Sequence, residues 1–237
     1  MKAVILAGGK GTRLAPYTKI LPKPLMPIGD MPILEVLLRQ LKNAGVKDVV
    51  LTVGHLAALL RTYFLDGREF GLNITYSYED KPLGTAGPLA LVPGLDKPFY
   101  VMNGDVLTTL NFKKLLEFHK SQKAIATIAA YHRTVKIDFG VLHNKKNSFK
   151  LAGYIEKPSI EYLVSMGVYV FDPAVLNFIP KNKYLDFPDL ILKMIRAGKK
   201  VVYLPYDGYW QDLGRADDYE QASLDFEAMR SQFLLED

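Results

Sequence analysis

Cysteine is missing from all 237 residues, which excludes disulfides, thiolate metal sites and a cysteine nucleophile. Histidine is scarce: His55, His119, His132 and His143 are the four present, they lack the spacing of metal ligands, and they fall in four different predicted elements. No serine sits in a nucleophile-elbow pattern, so covalent catalysis is not expected. Every apolar run is too short to span a bilayer, and Met1-Lys2 leads straight into a strand-like run without signal-peptide architecture. A cytoplasmic protein is expected. Repeats, low-complexity segments and linkers are absent too, so 1–237 reads as a single domain, with a first part to about residue 110 and a second from about 111.

Charge of one sign is not concentrated. The net charge is +5, from 30 Lys and Arg against 25 Asp and Glu. The basic residues are scattered apart from short patches such as Lys145-Lys146 and Lys199-Lys200, which suit solvated faces. That argues against a nucleic-acid partner and for a small polyanionic one.

What is present begins at once. After the apolar run Ala3-Val4-Ile5-Leu6 comes Ala7-Gly8-Gly9-Lys10-Gly11-Thr12-Arg13-Leu14. Glycines just past a buried strand leave backbone N–H groups free to close on a phosphate or lie against a flat base. The loop is neither a dinucleotide fingerprint, which needs a helix opening at the glycines, nor a P-loop, which needs Lys-Ser/Thr after the last glycine. Pro16, Pro22, Pro24 and Pro27 keep the following segment out of a regular helix until about Pro32, so an extended loop studded with Lys10, Arg13, Lys19 and Lys23 is expected.

Strand-like and helix-like segments then alternate, the pattern of a three-layer α/β/α fold with a mainly parallel, mixed sheet. Helices are predicted at 33–44, ending at Gly45, at 55–65, and at 111–121 with Asn111 as N-cap. Strands are predicted at 48–53, 73–78 and 99–102, the last running into Asn103-Gly104-Asp105. The second half is richer in strands: 124–131, 140–142, 149–155 with a turn at 145–148, 165–171, and 200–204. Helices fill 173–178, 187–197 and 215–233. The later strands are expected to cover one side of a shared cleft. The apolar residues Tyr219, Leu224, Phe226, Met229 and Phe233 of the last helix pack on the core or on a second subunit, so a homo-oligomer is possible.

Ligands of open α/β sheets gather beyond the carboxyl ends of strands, where the first loop and Asp105 both lie. Asn-Gly-Asp is a plain turn or a place for a divalent cation. Asp212, in Trp210-Gln211-Asp212-Leu213-Gly214, is a second hard ligand or part of the cap of the terminal helix. Glu156-Lys157-Pro158 is a solvated pair or a site for hydroxyls and a phosphate.

The first glycine string, with Pro22-Lys23-Pro24-Leu25 and Pro32-Ile33-Leu34-Glu35, resembles the signature of sugar-1-phosphate nucleotidylyltransferases, the NDP-sugar pyrophosphorylases. The likeness runs on to Trp210-Gln211-Asp212-Leu213-Gly214. It implies a Rossmann-like, GT-A-like nucleotidyltransferase domain that joins a nucleoside triphosphate to a sugar 1-phosphate and releases pyrophosphate, with Mg²⁺ on Asp105 and Asp212. It assigns Arg13 to the β and γ phosphates and Lys23 to the α-phosphate. Leu6, Ala7, Gly8, Gly9, Gly11, Thr12, Gly84, Thr85, Asn103 and Gly104 complete the nucleotide side. Gly140, Glu156, Lys157, Ser165 and Gly167 fall on the sugar side, Ser165 standing where relatives commonly carry Asn.

Residues 79–89, Glu-Asp-Lys-Pro-Leu-Gly-Thr-Ala-Gly-Pro-Leu, are similar to mannose-1-phosphate guanylyltransferases, and they lack the glutamine that uridine- or thymidine-preferring relatives often place there. Guanylyl transfer to mannose 1-phosphate or a related sugar phosphate is therefore expected, with uridylyl, cytidylyl or adenylyl transfer as the alternative. Two rivals of other kinds are a non-catalytic nucleotide-sugar-binding subunit and a glycosyltransferase. The first would lose catalytic charges that this chain keeps, and the second usually shows a carboxylate-x-carboxylate motif. No C-terminal regulatory module is expected.

Overall fold

A central strand covered on both faces must be apolar along its whole length, because neither face meets water. Strand β1 (Lys2–Leu6) meets that condition, with Ala3, Val4 and Ile5 fully buried. The computed structural model describes residues 1–214 and 216–234. After β1, three short 3-10 turns at Thr12–Leu14, Tyr17–Lys19 and Lys23–Leu25 lead to the small hairpin β2 (Pro27–Ile28) and β3 (Met31–Pro32). Helix α1 (Ile33–Asn43), β4 (Asp48–Val53), α2 (Ala57–Phe64), β5 (Asn73–Tyr78), β6 (Phe99–Asn103) and β7 (Val106–Thr108) follow. The second half holds α3 (Phe112–Gln122), β8 (Ala126–Lys136), β9 (Val141–Asn144), β10 (Leu151–Ile155) and β11 (Ser159–Phe171). It ends with α4 (Phe187–Arg196), β12 (Val201–Tyr206), β13 (Trp210–Asp212), α5 (Ala216–Ala228) and α6 (Arg230–Phe233).

Seven strands form one sheet in the order β12-β8-β11-β6-β1-β4-β5. β1 pairs in parallel with β4 and β6, β4 with β5, and β8 with β12, while β11 runs antiparallel to both β6 and β8. The fold is thus Rossmann-like α/β with a mainly parallel, mixed sheet. Apolar faces of α1, α2 and α3 cover one side around Leu34, Leu38, Phe64 and Leu115. On the other, α4 and the 3-10 segments Gly87–Leu91 and Pro173–Phe178 pack around Phe99, Phe171 and Phe187. Asn111 caps α3, its side chain accepting from the Lys114 N–H at 3.0 Å. Among the described residues, no helix is long and apolar enough to cross a membrane.

Four local expectations change. The segment after Gly11 is wound into 3-10 turns rather than extended, because proline's fixed φ suits single turns as well as extended chain. β8 and β11 continue well beyond 124–131 and 165–171, pairing out to Lys136 and Ser159. The terminal helix breaks at Met229 (φ −121°), and Phe233 then meets Tyr209 edge-on at 5.2 Å; Arg215, expected to open it, lies outside the described residues. The fourth is the short pair β7 and β13, a separate two-stranded sheet absent from the sequence reading.

Candidate functional site

The site is built where β1, β4 and β6 end. The Ala7 N–H donates to the Thr52 carbonyl at 2.9 Å, and the chain then enters Gly8 and Gly9. A β-carbon on Gly8 would stand 3.4 Å from both the Gly54 nitrogen and Glu79 Oε1, so two loops lie against each other there. Gly11 has φ +59°, and a side chain on it would stand 2.9 Å from Thr18, whose hydroxyl donates to the Gly11 carbonyl at 2.7 Å. Gly104 donates its N–H to the Leu6 carbonyl at 3.0 Å, drawing the turn after β6 against the end of β1.

These loops enclose a cleft of about 790 Å³. Leu6, Ala7, Gly8, Gly9, Gly11, Arg13, Lys23, Gly84, Thr85, Asn103, Gly104 and Asp105 all line it, while Thr12 does not. Glu79, Asp80, Lys81, Tyr184 and Asp186 line it as well.

Lys23 is buried, and its ammonium is hydrogen-bonded to Asp105 Oδ2 and lies 3.8 Å from Asp212 Oδ1. The small β7–β13 sheet makes that meeting possible. It pairs Asp212 with Val106 and Trp210 with Thr108, and the Leu213 N–H donates to the Asp105 carbonyl at 3.2 Å. Asp105 Oδ1 and Asp212 Oδ1 are both covered, and neither has a hydrogen-bond partner. Burial raises the Asp212 carboxyl above its ordinary range and the Asp105 charge adds to the rise, while Lys23 and Arg13 oppose it. A β-carbon on Gly214 would stand 2.7 Å from Asp212 Oδ1 and 2.9 Å from Arg13 Nη2, so glycine lets both side chains pass.

Two covered carboxylate oxygens without donors are what a hard cation requires, since buried acceptors are otherwise hydrogen-bonded. No group of three or more ligating side chains exists among the described residues. The donor set therefore fits an ion held by one or two carboxylates and completed by substrate oxygens and water.

The opposite wall is a hydrogen-bonded frame. Asp186 Oδ1 accepts from the Thr85 N–H (2.9 Å) and hydroxyl (3.1 Å), its Oδ2 accepts from the Tyr184 hydroxyl (2.7 Å), and the Phe187 N–H donates to Thr85 Oγ1 (2.9 Å). The Tyr184 bond, foremost, holds the Asp186 carboxyl below its usual range. Glu79 Oε2 accepts from the Leu83 N–H at 2.8 Å, which leaves Oε1 beside Gly8 in the cleft; burial pushes this carboxyl up.

The sugar-side residues divide into two groups. Gly167 (φ +71°) lies against the Asn103 side chain, where a β-carbon would be 2.5 Å from Nδ2. The Gly167 N–H donates to Ser165 Oγ at 3.3 Å, and Trp210 Nε1 donates to the Met166 carbonyl at 3.0 Å. Gly140, Glu156 and Lys157 instead sit together on a projecting arm, with the Tyr154 hydroxyl donating to Glu156 Oε2 at 2.9 Å. Glu156 and Lys157 are exposed, and none of the three lines the cleft.

A family profile described as nucleotidyl transferase matches residues 2–229. The chain belongs to the nucleotidyl transferase family. Among its relatives, a UTP–glucose-1-phosphate uridylyltransferase from Synechocystis is 36% identical over 94% of this chain and 62% of its own length. A mannose-1-phosphate guanyltransferase from Yarrowia lipolytica is 37% identical over 92% of this chain and 62% of its own. The nucleotidyl transferase chain described here thus spans about three-fifths of these curated relatives. A Bacillus anthracis structure described as a glucose-1-phosphate thymidylyltransferase superposes with a TM-score of 0.73 at 28% identity, covering 94% of each chain.

Sequence reasoning did not single out Tyr184 or Asp186, and it used Glu79 only as part of a string. The one signal for Asp186 was its place before α4, where it reads as an ordinary N-cap.

Proposed function

We propose that this nucleotidyl transferase condenses a nucleoside triphosphate with a sugar 1-phosphate by in-line displacement at the α-phosphorus, releasing pyrophosphate. The observation that carries the reading is the Lys23–Asp105–Asp212 cluster beside a glycine loop, with one covered oxygen on each carboxylate that no hydrogen bond satisfies. The sugar phosphate oxygen is already anionic at neutral pH, so no general base is required; the task is to bring two polyanions together. Arg13 grips the β and γ phosphates and Lys23 the α-phosphate, while the backbone of Gly8, Gly9 and Gly11 lies close against the nucleotide. Asp105 and Asp212 would hold Mg²⁺, which would supply charge neutralisation of the phosphates. Glu156, Lys157, Gly140, Ser165 and Gly167 receive the sugar phosphate. Positioning supplies most of the rate.

We assign the base to guanine and the sugar to mannose or a close relative. Guanine presents N–H donors on its pairing edge, and a carboxylate is an acceptor only. Glu79 Oε1, facing the cleft beside Gly8, supports that match. Guanyltransferase and uridylyltransferase relatives stand at about the same identity, so the choice of base rests on Glu79 and the 79–89 segment. The test is a matrix of nucleoside triphosphates against sugar 1-phosphates with Mg²⁺, read by pyrophosphate release. GTP with mannose 1-phosphate is expected to give the highest kcat/KM. Release with no pair would reject the catalytic reading in favour of a nucleotide-sugar-binding subunit.

A further inference from the structure

Two loops far apart in the chain meet at the cleft and hold each other. One, 79–86, follows β5; the other, 179–186, leads into α4. Neither belongs to a helix or a strand, so the backbone groups of each need partners from elsewhere. The Leu185 N–H donates to the Leu83 carbonyl at 2.9 Å, and the Leu185 carbonyl accepts from the N–H groups of Ala86 (2.9 Å) and Gly87 (3.1 Å). The loops lie so close that a β-carbon on Gly87 would stand 2.9 Å from the Lys183 carbonyl oxygen. Gly84, Thr85, Pro88, Tyr184 and Asp186 bring this joint to the cleft wall.

Asp186 closes the joint instead of capping its own helix. It occupies the N-cap of α4, where an aspartate ordinarily accepts from the first turn and stabilises the helix by about 1 kcal/mol. None of the described residues of that turn donates to its side chain. Oδ1 takes the N–H and hydroxyl of Thr85, and Oδ2 takes the Tyr184 hydroxyl. Thr85 Oγ1 accepts in turn from the Phe187 N–H, the first of α4. The helix is thus capped from the other loop, and Asp186 is left to hold that loop. A capping residue diverted from its cap marks a place where local preference yields to a site.

The joint connects to the glycine loop. Leu83, bonded through its carbonyl to Leu185, donates its own N–H to Glu79 Oε2, and Glu79 Oε1 lies beside Gly8. Gly167, on the sugar side, lies instead against Asn103. Charge agrees with that direction. Glu79 and Asp186 put carboxylates on this wall, whereas Arg13 and Lys23 line the other, so a triphosphate is drawn to the cations and the uncharged end of a nucleotide falls to the joint.

We propose that Asp186 is a positioning residue for the nucleotide: it fixes the Gly84–Thr85 turn, and through Leu83 the Glu79 carboxylate, in the arrangement that receives the base. The assignment deepens the proposed function and rests on it for the identity of the ligand.

The test is titration of GTP, UTP, ATP and CTP in turn, each with Mg²⁺ and without sugar phosphate, together with kcat and KM for both substrates. Asp186→Ala should raise Kd and KM for the nucleotide that the wild type prefers by about tenfold, while kcat and the sugar 1-phosphate KM move by about twofold or less. Asp186→Asn keeps an acceptor for Thr85 and offers an amide donor to the Tyr184 oxygen, so it should recover most of the lost affinity. An Asn variant as weak as the Ala variant would assign the effect to charge and overturn the positioning role. So would an Asp186→Ala enzyme whose only change is a lower Tm, the mark of a merely structural residue, or one in which only the sugar 1-phosphate KM rises. Thr85→Val removes the hydroxyl alone and serves if Asp186→Ala does not fold; it should weaken nucleotide binding about threefold, and unchanged binding would refute the proposal. A wild type that binds nucleotide with this dependence on Asp186, yet releases pyrophosphate with no substrate pair, would count against the proposed function and uphold the positioning role. A wild type that binds none of the four nucleotides would overturn both.

Discussion

Replacing Glu79 by Gln changes one atom and inverts what the cleft offers to a base. The Leu83 N–H, 2.8 Å from Glu79 Oε2, needs an acceptor. In the glutamine variant the amide oxygen takes that place, which turns the NH₂ group to the position now held by Oε1 beside Gly8. An acceptor facing the base becomes a donor. Guanine's N–H edge then meets another donor, whereas uracil gains a partner for a carbonyl oxygen. A hydrogen bond to a charged group is worth about 1.5 to 3 kcal/mol, so kcat/KM for GTP should fall roughly ten- to hundredfold. The value for UTP should hold or rise. The assay is pyrophosphate release with one sugar 1-phosphate and each nucleotide in turn, and titration of nucleotide alone isolates the binding contribution. A GTP-to-UTP ratio unchanged in a folded variant would refute the reasoning, as would a wild type that prefers UTP.

Asp105→Asn and Asp212→Asn should each lower turnover by about 100-fold or more, the scale of losing one electrostatic contact to a reacting phosphate, and each should weaken Mn²⁺ binding read by electron paramagnetic resonance; near-normal values in both would reject the cation site. Gly84→Ala forces a side chain onto φ +79°, 2.6 Å from the Leu185 carbonyl oxygen. A cost of at least about 2 kcal/mol should lower Tm by about 4 to 8 °C, readable by differential scanning fluorimetry. His119 is buried with Nδ1 2.9 Å from Thr127 Oγ1, and burial, opposed by Asp172 and helped by Lys120, lowers its pKa below 6.5. The unfolded chain takes up that proton first, so the contribution of His119 is full above pH 6.5 and is lost as pH falls toward the folded value. Urea midpoints of His119→Gln should therefore decline less between pH 7.5 and 5 than those of the wild type.

The sheet is legible in the sequence wherever burial is two-sided. β1, β4 and β6 read as nearly continuous apolar runs, with Thr52 the one polar residue inside them, because neither face meets solvent. The outer halves of β8 and β11 are not, since their residues are exposed and nothing selects for alternation there. β7 and β13 escape for another reason: three residues are too few to show any period. In the site, the glycine-dependent parts are visible in advance, because Gly8, Gly11 and Gly104 advertise a backbone approached closely. The side-chain wall is not. Asp186 reaches Thr85 across 101 positions, and its carboxylate serves that bond and Tyr184 instead of its own helix.

The ladder that joins Val106 to Asp212 and Thr108 to Trp210 makes strand alignment the ruler of the catalytic centre. Successive residues of β13 point to opposite sides, so a slip of one position would present Gln211 to Lys23 and turn the carboxylate away. Thr108 and Thr109 guard against that error, the hydroxyl of one and the N–H of the other both donating to the Tyr209 carbonyl. In this chain a substitution in the walls alters one contact at a time, while an insertion in the loop from Tyr206 to Trp210 would shift the carboxylate itself.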